Sequence, residues 1–68
     1  MDISNQNKEA LAALALTIQE ETEKFTANNT AFLLKGNKQA GERARVASLK
    51  ITKTAKQYRA ESLKIVKL

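Results

Sequence analysis

The stretch "LLKGNK", residues 33–38, decides how this 68-residue chain folds. Gly36 can adopt the left-handed backbone that closes a helix, and the side chain of Asn37 can cap the helix that follows. The chain carries no proline and only these few breaker residues, whereas Ala, Leu, Lys, Glu and Gln dominate on both sides. The composition therefore predicts an all-α protein built as a two-helix antiparallel hairpin: a first helix from about 4 to 34, a turn at 35–37, and a second helix from about 38 to 66. All of 1–68 reads as one helical-hairpin domain. Each helix of about 30 residues measures roughly 45 Å, and the connection is too short for any arrangement but antiparallel.

Outward from the turn, the first helix repeats Leu11, Leu14, Ile18, Thr22, Phe25, Asn29, Phe32 and Leu33 at alternating steps of three and four. The second helix answers with Ala40, Ala44, Ala47, Ile51, Ala55, Tyr58, Ser62 and Ile65. One stripe is bulky and the other small, a pairing that lets helices approach closely. With the turn at Gly36, Phe32 is expected opposite Ala40, Phe25 opposite Ala47, Leu14 opposite Tyr58 and Leu11 near Ser62. A hairpin of two helices leaves the edges of such a seam uncovered, so a homodimer forming a four-helix bundle is expected. Leu16, Leu34, Val46, Leu49 and Leu63 fall off the stripe. Asn28, Asn29 and Thr30 interrupt the first helix with weak helix formers that can bend or loosen it.

The same junction divides the charge. Residues 1–34 hold two lysines against five acids, a net of −3, while residues 35–68 hold ten Lys or Arg against Glu42 and Glu61, a net of +8. Projected at about 100° per residue, the second helix places Lys38, Arg45, Lys53, Lys56, Arg59, Lys64 and Lys67 opposite its apolar stripe, with Arg43 and Lys50 on one flank. An ordinary solvated helix interleaves acids and bases, commonly four apart, and this one scarcely does. Glu20 near Lys53, Glu23 near Lys50 and Glu9 near Lys64 are expected to neutralise part of the strip from the first helix, leaving the rest open. Glu20, Glu21 and Glu23 themselves read as solvated outer surface rather than a carboxylate site.

Several function classes drop out. Without Cys or His the chain has no thiol nucleophile, disulfide, imidazole shuttle or nitrogen ligand for a metal. No Gly-rich phosphate loop or nucleophile constellation appears, so no enzyme, cofactor or small-molecule substrate is expected. The longest apolar run, "ALAALAL" at 10–16, is far below the roughly 18 residues of a membrane span. The start lacks a cationic leader, which points to the cytosol, and the acceptor pattern at Asn28–Thr30 carries no weight there.

The cationic strip suits a polyanion. Lys and Arg along a rod release counterions from phosphates and bind duplex DNA through its backbone, largely without regard to sequence. Tyr58, Phe25 and Phe32 belong to the seam, so no aromatic platform is left for stacking single-stranded bases. The nine cations Lys38, Arg43, Arg45, Lys50, Lys53, Lys56, Arg59, Lys64 and Lys67 are the candidate DNA-binding residues. An acidic protein docked on the same face is the alternative, with an anionic membrane surface a further one.

The residues Gly36, Asn37, Lys38, Ala40, Arg43, Arg45, Ser48, Lys53, Lys56, Tyr58, Arg59 and Ser62 form a joint pattern: a Lys-Gly-Asn-Lys turn, an Arg-x-Arg helix, and an ending near Lys-x-aromatic-Arg-x-x-Ser. This half of the chain resembles the amino-terminal domain of the chlamydial-type, linker-histone-like bacterial DNA-compaction proteins. The resemblance implies a nucleoid-associated, histone-like protein that binds DNA non-specifically and helps condense it. Long members of that family carry a Lys/Ala/Pro-rich disordered tail that looks like their main DNA-binding element, which these 68 residues lack; the resemblance then implies chiefly a self-association module, with DNA binding either weaker or dependent on the second helix alone.

Overall fold

The computed structural model describes the backbone of residues 5–66 and the side chains of residues 8–64. Two helices, α1 (Asn5–Lys35) and α2 (Lys38–Val66), pack against each other as an antiparallel hairpin, with no strand among the described residues. The result is a rod of 52 × 15 × 12 Å. Gly36 sits at φ +65°, and its N–H donates to the Phe32 carbonyl at 3.1 Å, closing α1. Asn37 then caps α2, its Oδ1 accepting from the Ala40 N–H at 3.1 Å while its carbonyl accepts from Gly41 at 3.2 Å. Two adjacent residues therefore stop one helix and start the next.

Close to the turn, α2 presents its smallest residues to α1. Ala40, Ala44 and Ala47 are buried, as is Gly41, and these three alanines are the entire buried hydrophobic set among the described residues. Phe32 explains the glycine: a Cβ at Gly41 would stand 2.9 Å from the Phe32 ring. Most of the small stripe of α2 thus lies inward, with Ile51, Ala55 and Ser62 half-buried further along, but Tyr58, expected in the seam opposite Leu14, is 37% exposed because two helices alone do not cover so large a ring; the Ile65 side chain lies outside the described residues.

The α1 stripe needs correcting. Leu11, Leu14, Ile18 and Asn29 face the seam, but Thr22 and Leu33 are exposed and Phe25 and Phe32 are only partly covered. Glu21 and Asn28 fill the seam instead, Glu21 being just 6% exposed. A step of three from Ile18, rather than four, brings Glu21 inward, and its carboxylate is tolerated there because two lysines reach it. Nor does the Asn28–Thr30 segment interrupt the helix: α1 is continuous, with Thr26, Asn28 and Thr30 each donating to the carbonyl four residues back.

Candidate nucleic-acid interface

The candidate interface is the part of α2 turned away from α1, and the structure sorts eight of the nine candidate cations into three groups. Lys38, Arg45, Lys53, Lys56 and Arg59 are exposed and enter no ion pair among the described residues. Their spacing sets them along the outer side of the rod because α2's inner side is occupied by the alanines.

Arg43 and Lys50 belong to the seam's edge. The Arg43 Nε donates to Asn28 Oδ1 at 2.8 Å, and Asn28 Nδ2 in turn donates to the Lys24 carbonyl at 2.8 Å. Lys50 Nζ lies 3.7 Å from Glu21 Oε2, which also accepts from Lys24 Nζ at 3.0 Å. The hydrogen bond from Lys24, helped by the charges of Lys24 and Lys50, holds the Glu21 carboxyl below the usual carboxylate range against the opposing pull of burial. These contacts join α1 to α2, so Arg43 and Lys50 reach a polyanion only with part of their charge already satisfied.

Lys64 forms the third group. It pairs with Glu61 of its own helix at 3.2 Å, not with Glu9. Lys67 lies outside the described residues. The acid partners expected from α1 are corrected accordingly: Lys50 meets Glu21 rather than Glu23, and neither Glu20 nor Glu23 forms an ion pair among the described residues. Glu21 was expected on the outer surface and is instead the hub of the interhelical polar contacts. The signal available in the sequence was the matching distance of Glu21 and Lys50 from the turn, which only becomes decisive once the register is known.

Sequence reasoning also passed over Asn28, read as a weak helix former, although it bridges both helices. No cluster of acidic side chains suited to a metal ion occurs among the described residues, and no described helix is long and apolar enough to cross a membrane.

A row of unpaired cations on the outside of a helical hairpin is what a protein that packs a polyanion requires. Residues 5–67 match the family model described as "Histone H1-like protein Hc1", and the chain belongs to that family. No curated protein and no solved structure matches the chain.

Proposed function

We propose that this protein binds double-stranded DNA without strong sequence preference, through phosphate contacts from the outer face of α2, and condenses it in the nucleoid as a self-associating unit. The observation that carries the reading is the set Lys38, Arg45, Lys53, Lys56 and Arg59, all exposed and all without an acidic partner among the described residues. Membership of the histone H1-like family supports the same partner. Lys64 extends the strip toward the carboxy-terminal end, Arg43 and Lys50 border it, and Lys67 is a further candidate on its sequence position alone.

Self-association is supported by the thinness of the core. No large side chain is fully buried among the described residues, and the accessible surface is 5329 Å². A compact chain of 7.5 kDa is expected to expose roughly 4,200 Å². The excess, about 1,100 Å², is of the order that one partner loses in a standard interface, roughly 800 Å².

The test is a titration of duplex affinity against salt. Five free cations, with some contribution from the border, give a slope of log affinity on log salt near about −4 to −5. A slope close to zero would remove the electrostatic mechanism. An unrelated duplex of the same length should bind within a fewfold of the first; strong preference for one sequence would contradict backbone-only contact.

A further inference from the structure

The seam between α1 and α2 has two long edges, and they differ. One edge is polar and closed by Glu21, Asn28, Arg43 and Lys50, which bond across it. The other edge is apolar. Along it, α1 places Leu11, Ile18, Phe25 and Phe32, a large residue every seven positions, while α2 places Gly41, Ser48, Ala55 and Ser62, a small residue every seven. Phe25 and Phe32 remain 36% and 40% exposed there. Phe32 lies beside Gly41, and the seven-residue spacing carries the same register to Phe25 with Ser48, Ile18 with Ala55 and Leu11 with Ser62. The two serine hydroxyls are already satisfied, Ser48 donating to the Arg45 carbonyl and Ser62 to that of Arg59, so apolar groups can cover them at little cost.

We propose that a second copy of this chain packs on the apolar edge in a crossed arrangement. The α1 of each copy lies over the α2 of the other, and the two cationic faces point to opposite sides and hold two duplexes at once. This rests on the self-association and DNA-binding reading above and adds which way the copies face.

Shape and charge select the same arrangement. With α1 over the partner's α2, each layer alternates large and small around four helices, as in Phe25, Ser48 and their two symmetry equivalents, and the layers interdigitate. With like helix over like, aromatic would meet aromatic while glycine, serine and alanine faced one another across a void. The charges agree with the packing. Among the described helices α2 holds eight cations and two acids, whereas α1 holds three cations and four acids. Crossing sets the basic helix beside the more acidic one, and like-over-like would stack two basic helices. Because crossed α2 helices are diagonal in the bundle, their outer faces cannot both touch one duplex.

Leu49 reports the arrangement, being 70% exposed on the outer side of α2 in a chain without cysteine. A spin label on the Leu49→Cys variant of the full chain should give a label-to-label distance of roughly 21–26 Å in the crossed bundle, given interaxial spacings of 8–10 Å along its sides and side chains reaching 5–6 Å from each axis. A distance under about 20 Å, from α2 beside α2, would overturn the proposal. A single-chain mass in solution would overturn it together with the self-association reading. In parallel, beads bearing one duplex should capture a second, fluorescent duplex only when the protein is present. Normal duplex binding without second-duplex capture would overturn bridging; absence of any duplex binding would instead sink the DNA reading, and the spin-label distance would still decide the packing. Ser48→Arg, which places a charge on the apolar edge, should reduce second-duplex capture at least tenfold. Leu49→Gln, one residue away on the outer side, should leave capture unchanged.

Discussion

The two faces of α2 are built from opposite materials. The inner face, at Ala40, Gly41, Ala44 and Ala47, uses the smallest side chains in the chain and buries them. The outer face carries Lys38, Arg45, Lys53, Lys56 and Arg59, among the longest, and leaves them in solvent. A helix gains little from burying alanine alone, about 25 cal/mol per Å² of apolar area. The gain lies in proximity: small side chains let α1 come close enough for Phe32 to lie against backbone at Gly41 and for Glu21 and Asn28 to reach Lys50 and Arg43. Close approach on one side fixes the direction of the charges on the other. The contrast teaches that the cationic face and the packing face are one design, because the cations lie opposite the alanines and only about half a turn of α2 would send them into the seam.

The largest effect should come from the outer face. Reversing Arg45, Lys53, Lys56 and Arg59 to Glu is expected to lower duplex affinity more than about 100-fold, since four phosphate contacts are replaced by four repulsions. The helical circular-dichroism signal should be kept; undiminished affinity in the folded variant would separate the binding face from this side of α2.

The inner face should answer in stability. Ala47→Leu wedges the helices apart and is expected to cost about 1–3 kcal/mol in chemical denaturation. Leu49→Ala, on the outer face two positions on, should stay within about 0.5 kcal/mol. Equal losses at the two sites would erase the distinction between the faces.

Smaller effects belong to the contacts that hold the faces in register. Asn37→Ala removes the cap of α2 and should cost about 1 kcal/mol, read as a lower denaturation midpoint. The smallest is at Glu21. Its carboxyl pKa is lowered in the fold, by the Lys24 hydrogen bond first, so its contribution is present above the ordinary carboxylate range and is lost as pH falls through the depressed value. Stability should therefore weaken on acidification, and Glu21→Gln should flatten that acid limb; an identical pH profile in the variant would show that the Lys24 and Lys50 contacts do not matter to folding.

Much of this was readable in the sequence, for identifiable reasons. Gly36 and Asn37 are chemically specific about helix ends, and no proline competes with them, so the hairpin was legible. Ala40, Ala44 and Ala47 were legible as part of the inward stripe because they recur at steps of four and three on the side of α2 that carries no charge. The α1 stripe was less so. Between Ile18 and Phe25 a step of three or of four is allowed, hydropathy favours Thr22 over Glu21, and only the cations delivered by α2 make the charged choice the better one. Arg43 and Lys50 were assigned to the open strip for a related reason: their positions are peripheral, and long flexible side chains at an edge can turn either way, so their partners depend on register rather than on sequence pattern. Projection separates faces well and edges poorly.

The length of the hairpin sets a scale for the proposed complex with DNA. A duplex advances about 3.4 Å per base pair and completes a turn in about 34–36 Å, so the 52 Å rod equals some 15 base pairs, or one and a half turns. A stiff bar laid along a spiral staircase touches the railing only where it comes round. The cations are consequently usable in clusters spaced by the groove rather than all together, and duplexes shorter than one turn should offer the bar a single foothold. On the DNA-binding reading proposed above, lengthening a duplex from one turn to one and a half would add a second foothold for the bar without adding any contact to a base.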